Sequence, residues 1–395
     1  MSAATQAVIL VLNCGSSSIK FALFDAHTRP LPRTPLWSGK IQGIGSDQAQ
    51  LDQDGGPSEP VTLDQQQPYH AALDLIRARI RSQLAGRTLI AVAHRVVHGG
   101  SRYSAPVRVD AQVLQDLRGY IPLAPLHQPF ALEAMEVLLA QRPDLAQVAC
   151  FDTAFHRTLP QVEQVLPLPY EYLEHGLRRY GFHGLSYEYL SVALPERHGA
   201  LAHGRVIAAH LGSGASLCAL QDLRSVATTM GFSALDGLMM GTRTGALDPG
   251  ALLYLMEIEK LDLEQVGRLL YHQSGLLGVS GLSADPRVLL QHEAGDPRAR
   301  LALDLYVRRA AREIGALVAV LGGLDLLVFT AGIGEHSAPM RGRICAALGF
   351  LGLSLDASAN ARHAPLISAA DSPVAVAIEP TNEEWIAACH ALQLT

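Results

Sequence analysis

Lysine is nearly absent: of 31 basic residues only Lys20, Lys40 and Lys260 are lysine, set against 37 acidic residues and a formal net charge of −6. No extended basic stripe runs along the chain, which excludes a nucleic-acid backbone as partner and leaves only small, local phosphates to consider. Cysteine is also scarce. Cys14, Cys150, Cys218, Cys345 and Cys389 are odd in number, widely spaced and never arranged as Cys-x-x-Cys. Neither a disulfide framework nor a zinc knuckle is indicated, and a reducing cytoplasm fits. Met1 is followed by a polar hexapeptide, without the basic segment and long apolar core of a signal peptide, so the chain is expected to stay inside the cell. The uncharged run Ile314 to Leu324 is too short to span a bilayer, and Gly322 and Gly323 interrupt it. It predicts a buried helix followed by a buried strand, with no membrane partner. The phosphate-loop signature Gly-x-x-x-x-Gly-Lys-Ser/Thr is missing, because the only Gly-Lys pair, Gly39-Lys40, is followed by isoleucine. A complete dinucleotide fingerprint, a Gly-x-Ser-x-Gly elbow and His-Glu-x-x-His are missing too.

What is present is a hairpin signal that occurs twice. Val206 to Leu220 is two short apolar runs joined by Gly212-Ser213-Gly214, and Leu10 to Asp25 repeats the pattern around Gly15-Ser16. A constant offset of 197 places Gly15 on Gly212, Ser16 on Ser213, Ala22 on Ala219, Leu23 on Leu220 and Asp25 on Asp222. Two copies half a chain apart imply a duplicated domain. Gly/Ser turns expose backbone amides that suit anions, and 395 residues are more than one hydrophobic core fills, so two domains with a cleft between them are expected.

Along the chain, Gln42 to Gln67 reads as surface loops or irregular edge strands. Tyr69 to Leu84 carries Leu73, Ile76, Ile80 and Leu84 on one face and predicts a packing helix. Leu89 to Gly100 reads as a buried strand running into a Gly-Gly turn, with His94, Arg95 and His98 on it. The spacing of the two histidines makes a metal pair on a helix, which β-branched residues argue against. Arg95 needs an anion to offset its desolvation, supplied either by a ligand or by a structural ion pair. Pro122 to Pro129 is a proline-fixed loop holding His127, ahead of a helix from Ala131 to Ala140. Asp152, ending the strand that begins at Val148, is a catalytic candidate or a helix N-cap. Tyr180 to Ser186 sets Phe182 and His183 between glycines, before a helix from Tyr187 to Leu194. Thr229 to Pro249 is an irregular, glycine-rich apolar loop around Arg243, hard to explain by packing alone. Finally, Leu324 to Thr330 predicts a strand, Ala331 to His336 a glycine loop, and the following residues a helix through Leu348, a weak nucleotide-binding signal.

As a set these residues resemble the acetate kinase family of the actin-like ATPase superfamily. The matching strings are Asn-Cys-Gly-Ser-Ser-Ser-Ile-Lys-Phe from Asn13, His-Arg-Val-Val-His-Gly-Gly from His94, Ala-Pro-Leu-His-Gln-Pro from Ala124, and Phe-Asp-Thr-Ala-Phe-His from Phe151. Arg-Tyr-Gly-Phe-His-Gly from Arg179, Met-Met-Gly-Thr-Arg-Thr-Gly from Met239, Phe-Thr-Ala-Gly-Ile-Gly-Glu from Phe329 and Thr-Asn-Glu-Glu from Thr381 follow in family order. The resemblance implies an α/β, duplicated actin-like (ribonuclease H-like) fold of two domains with a central cleft. They would be 1–150, completed by a C-terminal helix at about 383–395, and 151–382 with the nucleotide site. It implies reversible transfer of the γ-phosphoryl group of ATP to acetate, giving acetyl phosphate and ADP by in-line attack, with Mg²⁺ (Mn²⁺ as alternative), in a cytoplasmic homodimer.

By the same resemblance, Arg243 and His183 hold the transferring group, Arg95 holds the carboxylate, and Asp152 matches the family's proposed proton donor or acceptor; because acetate is already ionised at neutral pH, Asp152 is expected to orient Arg243 or metal-bound water rather than to act as a base. Val97, Leu126, His127, Phe182 and Ala234 surround the acid. Lys20, the turn His210-Leu211-Gly212-Ser213-Gly214, Asp285-Pro286-Arg287 and Gly332-Ile333-Gly334-Glu335-His336 bind ATP. Asn13 and Glu383, with Glu384 as an alternative, anchor the metal. The chain departs from the family pattern at Ser213 (usually Asn), Ala234 (usually Pro), Asp236 (often Glu), Ala246 (often Asp) and His336 (usually Asn), and Trp385 follows the glutamate pair. Alternative readings are a propionate or broader short-chain acid kinase, and a non-catalytic actin-like switch.

Overall fold

The alternation of apolar runs and helical segments resolves into two sheets, each with its own core. A computed structural model describes residues 6–125 and 127–395, so the expectation for Leu126 lies outside the described residues. Two compact units divide the chain: one made of the residues up to Ala154 together with Asn382–Thr395, the other of Phe155–Thr381.

The first unit carries strands β1 (Ala7–Cys14), β2 (Ser18–Asp25), β3 (Trp37–Gln42), β4 (Gln50–Gln53), β5 (Glu59–Pro60), β6 (Thr88–Val96), β7 (Val107–Arg108) and β8 (Ala146–Phe151), in the order β5-β4-β3-β2-β1-β6-β8-β7. The meander β1 to β5 is antiparallel, whereas β6 runs parallel to β1 and β8 parallel to β6. The helix Pro68–Leu84 buries Tyr69, Ala72, Leu73, Ile76 and Ile80 against Val8, Leu10, Leu12, Ile19, Phe21 and Leu23. Side chains alternate across a strand, so Asn13, Lys20 and Arg95 project from the opposite face. There the C-terminal helix Glu383–Leu394 lies, with the Cys150 thiol 3.9 Å from the carbonyl of Ala387.

The second unit carries β9 (Arg205–Leu211), β10 (Ala215–Gln221), β11 (Arg224–Thr228), β12 (Leu326–Thr330) and β13 (Ala375–Ile378), in the order β11-β10-β9-β12-β13. β9 and β10 are antiparallel, while β12 is parallel to both β9 and β13. This repeats the order and directions of β3-β2-β1-β6-β8. The chain therefore has the mixed α/β architecture of the duplicated actin-like ATPase fold. Its central strands are buried almost throughout because helices such as Pro297–Leu321 cover them.

Two expectations need correction. No single offset relates the hairpins: Cys14 pairs with Ile19 across four residues, but Leu211 pairs with Ala215 across three. The first turn, closed by Gly15 N–H to Ser18 O at 2.8 Å, is one residue longer than the second, closed by Gly212 N–H to Gly214 O at 3.0 Å. The segment Ala331 to His336 is a short helix rather than a glycine loop. The Glu335 carboxylate accepts from its Ala331 N–H at 2.8 Å and from Thr381 N–H at 3.2 Å, and Arg341 holds its last carbonyls. These bonds satisfy the end groups that a short glycine-containing helix leaves open.

Candidate active site

In the first unit three charged residues from distant parts of the chain converge. Arg95 comes from the end of β6, Asp152 follows β8 with its N–H on Val96 O at 2.9 Å, and Glu383 opens the C-terminal helix. Arg95 Nε lies 3.0 and 3.1 Å from the two Asp152 oxygens, and Nη2 lies 2.8 Å from Oδ2. Its Nη1 meets Glu383 Oε2 at 2.6 Å. Burial opposes the Arg95 charge, but the two carboxylates outweigh that and hold the guanidinium ionised. Burial also pushes the Asp152 carboxyl above the ordinary range, with Arg95 pulling against it. Asp152 thus orients Arg95, a partner the sequence reading did not give it, and its oxygens cap no helix.

Around this cluster the strand register sets a row of polar side chains: Asn13 opposite Lys20, Lys20 opposite Lys40, and Lys40 opposite Asp52, which it meets at 3.2 Å. Lys20, Lys40, Asp52, Asn382 and Glu384 line a groove of about 340 Å³. Burial, and then the neighbouring Glu383, push the Glu384 carboxyl upward, which favours its neutral form. Val97, directly after β6, and His127, the residue before the helix Gln128–Gln141, are half-buried. His94 Nε2 is 2.8 Å from Gln147 Oε1 and Gly100 N–H donates to His98 Nδ1 at 2.8 Å; His94 lies on β6 and His98 two residues beyond its end.

In the second unit the turn after β9 is the focus. His183 adopts left-handed backbone (φ 59°) ahead of the helix Gly184–His198, and its ring stacks on His210 at 4.1 Å. Ser216 and Ser186, each 2.8 to 2.9 Å from a ring Nδ1, orient the two imidazoles, and Tyr187 reaches Ser216 at 2.6 Å. A Cβ on Gly214 would sit 3.4 Å from His183 Nε2 and 3.6 Å from Arg243 Nη1. Both groups therefore lie over the turn, in ordinary van der Waals reach of that position. Arg243 donates to the Ala234 carbonyl at 3.3 Å and lies 6.0 Å from the Tyr271 ring, and burial depresses its affinity for the proton. Ala234 serves Arg243 through its backbone, a contact that proline would also supply.

The loop around Arg243 has neither helix nor strand between Thr228 and Pro249, as its composition predicts, yet it is tightly held. Arg179 donates to the carbonyls of Thr228, Thr229 and Met230 at 3.0 to 3.2 Å and reaches Asp236 at 3.4 Å. Gly241 N–H meets Ser213 O at 3.3 Å, and a Cβ on Gly241 would lie 3.2 Å from the Ala284 carbonyl. The segment Asp285-Pro286-Arg287 is thereby brought to the same turn. Asp285 caps the helix that follows and binds the Arg287 guanidinium at 2.6 to 3.1 Å. The short helix bearing Gly332, Ile333, Gly334, Glu335 and His336 also meets the turn, with Ala331 Cβ 3.7 Å from the Cβ position of Gly212. Phe182 is buried, and its carbonyl accepts from His156 Nε2 at 2.9 Å.

Sequence reasoning missed the supports. Arg341, wholly buried, donates to Gly334 O, Glu335 O, Asn360 Oδ1, Asn360 O and His363 Nδ1 at 2.8 to 3.0 Å. Burial lowers it to about 10. An arginine among apolar residues, a few positions beyond a glycine pair, was the only available signal.

The acetokinase family model matches residues 8–389. The acetate kinase of Rhodopseudomonas palustris (strain TIE-1) is 49% identical over 392 residues, covering 98% of each chain. A solved propionate kinase from Francisella tularensis subsp. tularensis SCHU S4 is similar at TM-score 0.90 and 35% identity, over 97% of this chain and 98% of that one. The acetate kinase structure from Porphyromonas gingivalis gives TM-score 0.87 at 35% identity, over 98% and 99%.

Proposed function

Because the chain belongs to the acetokinase family, we propose that it transfers the γ-phosphoryl group of ATP reversibly to acetate, giving acetyl phosphate and ADP. An acetate oxygen attacks phosphorus in line, the bond from the γ-phosphorus to the bridging oxygen breaks, and ADP leaves with that electron pair. The observation that carries this is the convergence of His183 and Arg243 on Gly214. Such transfer needs positioning and charge neutralisation more than covalent help from the protein.

The residues divide the work as follows. Arg243 and His183 neutralise the equatorial oxygens of the transferring group. Arg95 receives the acid's carboxylate, and Asp152 holds Arg95 in place; acetate is already ionised at neutral pH, so no base is required. By resemblance to the family, Val97, Leu126, His127, Phe182 and Ala234 border the acid. Lys20 and the turn His210 to Gly214 bind phosphates, while Asp285 to Arg287 and Gly332 to His336 border the adenosine. Asn13 and Glu383 offer an amide oxygen and a carboxylate, hard donors that fit Mg²⁺. Among the described residues no cluster of three His, Cys, Asp or Glu could cage a metal, so nucleotide phosphates would complete its shell. When bound, the ion neutralises phosphate charge.

The chain acts in the cytoplasm on this reading, in keeping with five free cysteines. It is a homodimer through the helix Pro249–Glu257, which buries none of its residues while Leu253, Tyr254 and, just beyond it, Ile258 stand more than half exposed. Propionate is the second acid to consider, because alanine replaces the usual proline at position 234. A pocket with room for one more methylene shifts relative specificity about fourfold. An acetate-dependent ADP-release assay with purified protein, Mg²⁺ and ATP tests the reaction. Absence of acetate-dependent turnover rejects it, and repeating the assay with propionate on wild type and Ala234→Pro decides the acid.

A further inference from the structure

The arginine assigned to the acid's carboxylate already holds two carboxylates. Asp152 takes Nε and Nη2 of Arg95 through contacts of 2.8 to 3.1 Å, and Glu383 takes Nη1 at 2.6 Å. A substrate carboxylate binding the end of the guanidinium in the usual bidentate way needs Nη1 and Nη2 together. It would then share Nη1 with Glu383, whose carboxylate oxygen already stands 2.6 Å from that nitrogen. Three carboxylates around one guanidinium would leave the cluster with a net charge of −2 in a largely desolvated place, a cost that grows as the local dielectric falls.

Of the two partners, Glu383 is the one free to yield. Asp152 is bound through two guanidinium nitrogens, its backbone is fixed to Val96, and its side chain is 3% exposed; Glu383 makes one guanidinium contact and is 11% exposed. The start of its helix is meanwhile locked. Asn382 Oδ1 accepts from Trp385 N–H at 3.0 Å, Asn382 Nδ2 donates to Arg33 O at 2.9 Å, and Trp385 Nε1 donates to Leu31 O at 3.0 Å. A change of partner at Glu383 can thus be a side-chain rotation that leaves the helix where it is. Asn13, the other oxygen donor proposed for the metal, projects from the same face of the sheet.

We propose that Glu383 is an exchangeable carboxylate: it occupies Arg95 Nη1 when no acid is bound, and the incoming acid displaces it toward the divalent cation. Acid and metal binding then favour each other. This rests on the assignment of Arg95 to the acid and Glu383 to the metal, and it adds that one side chain couples the two sites. By linkage the factor by which metal tightens acid equals that by which acid tightens metal.

The test uses the full chain and reads binding rather than turnover. Titrations of [¹³C]acetate followed by NMR, in EDTA and then with Mn²⁺ and ADP, are run on wild type, Glu383→Gln and Glu383→Asp, with circular dichroism to check folding. Glutamine keeps the shape but removes the charge, and aspartate draws the carboxylate back from Nη1. In EDTA both variants are expected to bind acetate at least about fivefold more tightly than wild type, within the usual range of coupling between sites. Addition of Mn²⁺ and ADP is expected to tighten acetate binding in wild type and to change it little in Glu383→Gln. Equal or weaker metal-free binding in both variants overturns the exchange. Acetate binding that survives Arg95→Leu overturns the assignment of the acid site itself, and the exchange with it.

Discussion

At the scale of single residues, Arg95 separates chemistry from stability. Arg95→Leu is expected to raise the acetate KM at least about tenfold, as for a group that binds ground and transition states alike. It also strands Asp152, which is 2% exposed, without its cation. Breaking such a buried pair costs about 3–5 kcal/mol. Adding Asp152→Asn to Arg95→Leu should recover much of that loss without restoring KM, and denaturant melts beside acetate titrations check it. Arg243→Leu should instead lower kcat by about 10²- to 10³-fold, the scale of losing one transition-state donor; a change within about threefold would remove Arg243 from the site. His94 and His156 predict a pH dependence. Burial depresses both from 6.5 to about 4, so the unfolded chain binds more protons between those values and stability rises with pH there. Each contributes a slope of up to about 1.4 kcal/mol per pH unit between those values, so its stabilisation is present in full above 6.5 and is lost as the pH falls toward 4. Thermal melts across that window should show a shallower slope in His94→Gln.

At the scale of elements, the loop carrying Arg243 has no regular structure of its own and is shaped by what it touches. Gly275 sits at φ 62°, and a Cβ there would lie 2.2 Å from Met240 O and 2.8 Å from Arg243 O. Gly275→Ala must therefore move backbone, and is expected to destabilise the protein by about 2–4 kcal/mol through left-handed strain plus displacement of the loop. Equilibrium denaturation measures that, and limited proteolysis between Thr229 and Asp248 should become faster; wild-type values in both would mean that the loop is not anchored there. The irregularity of this segment was legible in its glycines. Its anchors, Arg179 and the Met240 and Thr242 carbonyls paired with Leu276 and Ser274, were not, because such bonds join positions with no sequence period between them.

At the scale of the whole molecule, each unit has its own sheet and core, and among the described residues no helix is long and apolar enough to cross a membrane. The proposed burial of the apolar helix Pro249–Glu257 in a homodimer gives a direct prediction. Leu253→Glu, at a position 64% exposed, should convert the dimer to a monomer in size-exclusion chromatography with light scattering, while circular dichroism stays unchanged. A wild-type chain that already elutes as a monomer would reject the interface.

The sequence by itself determined the repeated strand–turn–strand signal, the helix Pro68–Leu84 and the order of the family motifs, because alternation, helical periodicity and glycine turns are local properties of a chain. It also marked Arg95 and Asp152 as candidates with structural alternatives, His183 as a histidine set between glycines, and Arg243 as the centre of a loop that packing alone does not explain. Only the tertiary structure decided their partners: Glu383, from the far end of the chain, on Arg95, and Ser216 on His183. It likewise decided that the two turns differ by one residue and that Ala331 to His336 is helical. Side-chain hydrogen bonds and buried charges are satisfied by whatever the fold brings within about 3 Å, and that proximity is set by packing, which no local pattern in the sequence records.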